Sequence, residues 1–165
     1  NIKKPSNPLQ KTKDLYEQVN KFDEKELKEF SILYLIMNNL DLFRKKIELI
    51  SEINFSNNML NEFKKELIEY LLSDKFFDKK KLDINDFEQK FHESINLIIS
   101  NARIKTIYKN KNEEEIVIMF NEIIDEIKKI DLGKKIQSLE DKVSINLDES
   151  LYSELLSLRN QLKGG

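Results

Sequence analysis

NEEEIVIMFNEIIDEIKKIDLGKKIQSLEDKV, residues 112–143, is the stretch of sequence that decides the fold. Asn112 followed by three glutamates is typical of a helix start, because a short polar side chain caps the first free N–H groups and acidic groups favour the positive end of the helix dipole. Apolar residues then recur at steps of four and three, at Ile116, Phe120, Ile123, Ile127 and Ile130. This spacing predicts a long helix with one apolar face.

The apolar face changes direction at Leu132. Continuing the first stripe would require an apolar residue at position 134, which is a lysine. A second stripe takes over instead, at Leu132, Ile136, Leu139 and Val143. At about 100° per residue the face turns by roughly half a turn. We therefore expect one long helix with two different packing partners, and we leave open whether it is straight, kinked or broken near Gly133.

The end of the chain supplies a partner for the second stripe. Its leucines are again spaced four, three and four, at Leu151, Leu155, Leu158 and Leu162. The connection at 144–147 is short, as antiparallel helices require, and Asn146 or Asp148 can cap the final helix. We predict a helical hairpin, with Tyr152 and Leu156 left apolar on a flank that the partner helix does not cover.

Upstream of the long helix the pattern is that of a helical bundle. Asp23, with Glu26 three residues on, opens a densely apolar helix that we expect to be the central core helix. Two amphipathic helices follow, one from Leu40 to Ile50 and one from Met59 to Leu71, and the helix boundaries between 92 and 112 stay open. We predict an all-α fold in which residues 1–20 form a linker or arm, 21–131 a multi-helix bundle, and 132–165 the C-terminal hairpin.

The composition supports this class. The 165 residues include only three glycines and two prolines, too few for the turns of a sheet protein. A formal charge of −2, from 28 basic and 30 acidic side chains, gives no overall field that would attract nucleic acid or anionic lipid. There is no cysteine, which is compatible with a reducing cytosol, and no apolar run approaches the roughly 20 residues of a membrane span. Because the chain begins at Asn1, we expect it to be part of a longer protein.

Groups that could carry chemistry are sparse. His92 is the only histidine, so a zinc site would need carboxylates for its other ligands, and we expect a half-exposed helix residue instead. There is no glycine-rich phosphate loop or nucleophile motif, and we predict that this part of the protein is not an enzyme. The clusters 79–81 and 105–111, with Tyr108, could contact phosphates, but acidic neighbours favour solvated turns.

Three stretches carry a resemblance to a known family. KEFSILYLIMNNLDL, residues 28–42, is similar to a buried helix that ends at an Asn-His-Pro turn, with Asn39 and Leu40 in place of the His-Pro. Residues 47–72, most clearly Ile53-Asn54-Phe55-Ser56, and residues 132–164 match the segments that follow. In this order the stretches resemble the C-terminal domain of DnaG-type bacterial primases, the alphaproteobacterial branch in particular.

The resemblance implies a cytoplasmic domain that docks on the amino-terminal domains of the hexameric replicative helicase. Zinc and magnesium would belong to upstream domains of the parent primase, and we expect no cofactor, nucleic acid or membrane contact in this part, and a monomer. We predict that the helicase is bound by Leu132, Ile136, Leu139, Leu151, Tyr152, Leu155, Leu156 and Arg159. The alternatives are another helical interaction module, either helicase N-terminal-like or self-dimerising, and an enzyme with an unrecognised carboxylate site.

Overall fold

The structure is a computed structural model that describes residues 22–73, 81–146 and 148–164. The predicted arm at 1–20 lies outside these residues. Within them the chain forms α-helices and short 3-10 turns and no strand, which confirms the all-α prediction. The helices are α1 Glu24–Asn38, α2 Leu40–Arg44, α3 Ile47–Glu52, α4 Asn58–Leu72, α5 Gln89–Asn101, α6 Glu113–Ile145 and α7 Glu149–Gly164.

Helix α1 is the central helix of the bundle, as predicted. Its capping box is formed: the Glu26 N–H donates to the Asp23 carboxylate at 2.8 Å, and the Asp23 N–H donates to the Glu26 carboxylate at 3.0 Å. The bond from the Glu26 N–H also lowers the pKa of Asp23, because it stabilises the charged form. Along the helix Ile32, Leu33, Leu35 and Ile36 are fully buried, so α1 is surrounded by the rest of the bundle.

The helix predicted from Leu40 to Ile50 is instead two short helices, α2 and α3. The chain turns at Lys45 and Lys46, where the Lys46 N–H donates to the Phe43 carbonyl at 2.9 Å. Phe43 and Ile50, on either side of the turn, are both fully buried. The two residues at the turn are lysines, which do not need burial. Phe43 and Ile50 therefore both reach the core although the helix is interrupted between them.

The region between 92 and 112, which sequence alone leaves open, is short helical structure. Helix α5 ends at Asn101, and 3-10 turns follow at Arg103–Thr106 and Tyr108–Asn110. Ile104 from the first turn is buried, and the ring of Tyr108 packs edge-on against Tyr34 with centroids 5.6 Å apart. These turns carry the chain across α1 to the start of α6.

Helix α6 runs without interruption through Gly133. Its capping box at Asn112 and Glu115 is formed, and it extends for 33 residues, from Glu113 to Ile145. A Cβ at Gly133 would meet nothing within 4 Å, so no close packing requires the glycine. One continuous helix therefore belongs to both the bundle and the hairpin. Its total length is about 50 Å at 1.5 Å per residue.

The predicted change of face along α6 is confirmed, with one correction. Ile127 is buried in the bundle and Ile136 in the hairpin, and nine residues at 100° each place them on opposite sides of the helix. In the first stripe, however, Ile124 is buried and Ile123 only half-buried. Ile123 lies at the edge of the contact with α1, where it lines an open groove, whereas Ile124 points into the core.

The buried side chains form two separate cores. The larger core fills the bundle and includes Phe43 and Phe120, whose ring centroids lie 4.6 Å apart. The smaller core belongs to the hairpin and consists of four buried residues, Ile136, Leu139, Leu155 and Leu158. The division between the cores falls on α6 between Ile127 and Ile136, which is where the sequence predicts the end of the bundle.

One carboxylate is buried inside the bundle. Glu29 of α1 is fully buried, and its Oε1 accepts hydrogen bonds from the Ser56 N–H at 2.8 Å and the Ser56 hydroxyl at 2.9 Å. Its Oε2 has no hydrogen-bond partner, and the Lys25 ammonium lies 3.9 Å from Oε1. Burial raises the pKa of Glu29, although the bonds from Ser56 and the charge of Lys25 act in the opposite direction.

We expect Glu29→Gln to gain stability relative to the wild-type protein as pH rises. In the unfolded chain Glu29 ionises near its ordinary pKa of 4.5, whereas in the fold it holds its proton to a higher pH. The contribution of Glu29 to the free energy of unfolding therefore falls between these two pKa values, and a glutamine, which can still accept from Ser56, does not show this fall. Urea unfolding of both proteins from pH 4 to pH 8 measures the difference.

The control for this prediction is the same substitution at Glu122, which is exposed on α6. Glu122→Gln removes one negative charge, as Glu29→Gln does, but from the surface of the protein. A stability difference for Glu29→Gln that stays constant with pH, or that follows the Glu122→Gln curve, would show that burial of the Glu29 charge has no energetic cost.

Candidate protein-interaction site

The hairpin is built from the second half of α6 and the whole of α7. Ile136 and Leu139 face Leu155 and Leu158 across the seam, and partly buried Leu132, Val143 and Leu151 extend it at both ends. The Asp148 carboxylate accepts from the Ser150 N–H at 2.8 Å and so caps the start of α7, as the sequence allowed. Antiparallel packing of these leucine and isoleucine stripes confirms the predicted hairpin.

The structure separates the eight predicted binding residues into two groups. Five of them hold the hairpin together: Ile136, Leu139 and Leu155 are buried, and Leu132 and Leu151 are half-buried against them. The other three are exposed on the flank of α7, where Tyr152 and Leu156 are 48% and 42% exposed and Arg159 follows one turn later. The surface that a partner can touch is therefore the row Tyr152, Leu156 and Arg159, which we call the α7 flank.

Leu162 does not belong to the seam, contrary to the predicted four-residue stripe. It is 41% exposed and borders an open groove with Leu132 at the foot of the hairpin. The other residues that line this groove are polar: Asp125, Lys128 and Lys129 on α6 and Gln161 on α7. Leu162 therefore lies outside the four-residue core of the hairpin.

Ion pairs close both sides of the hairpin. Arg159 Nη2 lies 2.5 Å from Glu140 Oε1, and Lys135 Nζ lies 2.9 Å from Glu154 Oε1. Because these side chains are half-exposed, each pair contributes at most about 1 kcal/mol. The pair with Glu140 holds the guanidinium of Arg159 at the border between the two helices, so the apolar part of the α7 flank is Tyr152 and Leu156 and its end is a paired arginine.

The foot of the hairpin is tied to the start of α1. Lys25 Nζ lies 2.6 Å from Asp131 Oδ1, and Lys134 Nζ lies 3.3 Å from Asp23 Oδ2. Asp131 and Lys134 flank the point where the face of α6 changes. These contacts join residues more than 100 positions apart, and no feature of the sequence indicates them.

The other groups that the sequence singles out lie on a helix or in an open groove. His92 is half-buried on α5, with its Nε2 3.1 Å from the Phe87 carbonyl oxygen, as expected for a helix residue. Lys81, Lys109 and Lys111 line one open groove near Tyr108, together with the acids Asp41 and Glu113. Lys79 and Lys80 lie outside the described residues. The mixed charge of this groove favours the interpretation of solvated turns.

The described residues contain neither a metal-binding cluster nor a helix suited to cross a membrane. Within 22–73, 81–146 and 148–164, no three His, Cys, Asp or Glu side chains are grouped closely enough to hold a metal ion. Over the same ranges, none of the helices combines the length and the apolar character that crossing a bilayer requires. Comparison of the chain with models of protein families, with curated proteins and with solved structures gave no match.

Proposed function

We propose that this domain recruits a partner protein through the α7 flank, and that the partner is the hexameric replicative helicase of a bacterium. The observation that carries the proposal is the exposure of Tyr152 and Leu156 side by side on a hairpin whose own core is complete without them. Large apolar and aromatic side chains at the surface, bordered by an arginine, are typical of the residues that dominate protein–protein binding.

The choice of helicase rests on the resemblance to the C-terminal domain of DnaG-type primases. In support of it, the first similar stretch covers most of buried α1 and its C-cap Asn39, and the last coincides with the hairpin. In the parent protein the primer-synthesising chemistry, with its zinc and magnesium, would lie upstream. This domain would then be the non-catalytic, cytoplasmic part that brings primer synthesis to the replication fork and stimulates the helicase.

We expect Tyr152→Ala combined with Leu156→Ala to weaken helicase capture at least tenfold, about 1.4 kcal/mol. The substitutions remove the apolar part of the α7 flank but none of the four buried hairpin residues. Light scattering coupled to gel filtration, with the helicase from the same bacterium, measures capture, and circular dichroism checks that helicity is retained.

The matched control is Ile118→Ala, which removes an exposed apolar side chain from the bundle half of α6. It should leave capture unchanged. Equal capture by wild-type and doubly substituted chains would exclude the α7 flank, and no capture by the wild-type chain would exclude the helicase. If the wild-type chain alone shows a concentration-dependent mass that the double substitution abolishes, the hairpin pairs with itself, as the alternative function requires.

A further inference from the structure

A pocket of about 290 Å³ opens on the bundle between the end of α3 and α6, and we call it the α3–α6 pocket. Small-molecule sites in proteins are mostly apolar, largely preformed and about 300–1,000 Å³ in volume, so this pocket lies at the lower end of that range. Its apolar lining consists of buried or half-buried residues: Ile32, Leu49, Ile53, Ile124 and Ile127. The pocket can therefore take the apolar body of a small ligand.

The wall on the α3 side is an irregular loop whose backbone is held by side chains. Lys64 Nζ donates to the carbonyl oxygen of Ser51 at 3.0 Å and to that of Ile53 at 2.6 Å. Asn61 binds the next part of the loop, since its Nδ2 donates to the Phe55 carbonyl at 2.8 Å and its Oδ1 accepts from the Phe55 N–H at 3.0 Å. These bonds fix the loop in one position.

Two of the side chains that hold this loop are ionisable and buried. One is Lys64, and the other is Glu29, whose carboxylate accepts from the Ser56 N–H at 2.8 Å. Burying such groups costs free energy that apolar residues in the same places would not cost. The arrangement gives the pocket a wall that is formed before a ligand arrives, and a preformed site loses less conformational entropy on binding.

The mouth of the pocket carries one carboxylate without a counter-charge. Glu52 is exposed and makes no ion pair or side-chain hydrogen bond with any residue that the structure describes. The other charged groups at the mouth are paired, because Asp131 lies 2.6 Å from Lys25 and Lys128 lies 3.7 Å from Asp125. The electrostatic complement of this mouth is therefore a cation beside Glu52.

We propose that the α3–α6 pocket binds a small organic cation, an ammonium group carried on a compact apolar body. The apolar body would lie against Ile124 and Ile127, and the ammonium would lie at the mouth beside Glu52. An anion would bring its charge to the same carboxylate and be repelled. The bound ligand would also lie next to Asp131, whose bond to Lys25 ties the foot of the hairpin to α1.

An NMR titration of the full chain with phenethylammonium tests this proposal through the methyl signals of Ile124 and Ile127. Phenethyl alcohol is the neutral match for this probe, and hydrocinnamate is the anionic match. We expect saturable shifts at both isoleucines, a Kd for the ammonium about threefold lower than for the alcohol, and no saturation by hydrocinnamate. The methyl signal of Ile118, which is 57% exposed on α6 and does not line the pocket, should not shift.

Two variants test the role of the carboxylate. Glu52→Gln removes the charge but keeps a side chain of similar shape, so it should raise the Kd of phenethylammonium about threefold and leave that of the alcohol unchanged. Glu48→Gln removes the same charge from an exposed position one turn earlier on α3, outside the pocket, and should change neither Kd.

Equal affinity for the ammonium and the alcohol in the wild-type chain would overturn the proposal, as would the absence of saturable shifts at Ile124 and Ile127. An equal loss of ammonium affinity in both variants would overturn it too, because the effect would then come from the overall charge of the protein. No residue of the α7 flank lines the pocket, so these outcomes are independent of helicase capture.

Discussion

Replacing Leu155 with alanine is expected to release α7 from the hairpin while the bundle stays folded. Leu155 is one of only four buried residues in the hairpin core, and Leu→Ala in a core costs about 2–5 kcal/mol. A pair of helices with so small a core has little stability to lose, because helices of this length are marginal in water without tertiary packing. Amide hydrogen exchange, measured residue by residue by NMR, should show α7 exchanging freely and α1 still protected.

The control for this prediction is Ser157→Ala, at an exposed position of the same helix. Alanine favours a helix slightly more than serine does, so α7 should keep or increase its protection. If Leu155→Ala leaves the exchange of α7 unchanged, the hairpin is held by contacts other than its own core. Loss of protection in α1 as well would mean that the two cores unfold together.

Phe120→Ala is expected to destabilise the whole bundle by about 3–5 kcal/mol. Phe120 is fully buried, and its ring packs on that of Phe43, so its removal leaves a cavity where α6 meets the other helices. At ordinary sensitivities to urea this shifts the unfolding midpoint downward by roughly 1–3 M. Circular dichroism during urea titration measures the shift.

The comparison here is Ile118→Ala, two residues earlier on α6. Ile118 is 57% exposed, and an exposed truncation should change the free energy of unfolding by no more than about 0.5 kcal/mol. A loss of unfolding free energy for Phe120→Ala no larger than that for Ile118→Ala would mean that the bundle closes around the missing ring. It would also contradict the assignment of Phe120 to a rigid core.

Several features of the fold follow from local sequence and were predictable for that reason. The capping boxes at Asp23 and Asn112 are formed by residues three positions apart, so neither depends on tertiary contacts. The opposite faces of α6 follow from helical geometry once the two stripes are counted. The exposure of Tyr152 and Leu156 follows likewise, because a single partner helix covers only one stripe of α7.

Other features depend on tertiary packing, and the spacing of apolar residues along the chain does not predict them. Ile123 and Ile124 are equally apolar neighbours, and only the position of α1 decides which is buried. Lys64, at a position that a sequence pattern would give to solvent, is buried, with its ammonium 2.6 Å from the Ile53 carbonyl oxygen. Burial lowers the pKa of Lys64, because the charged form loses its solvation. The two ion pairs at the foot of the hairpin are equally non-local.

The uninterrupted passage of α6 through both cores makes the hairpin a lever arm. From Asp131, where the helix leaves the bundle, to Ile145 the helix extends about 21 Å. A tilt of about 5° at the pivot therefore displaces the tip sideways by about 2 Å. Ion pairs from Lys25 to Asp131 and from Asp23 to Lys134 brace that pivot. We therefore expect a force on the tip of the hairpin to act at this pivot on Asp23 and Lys25, at the start of α1.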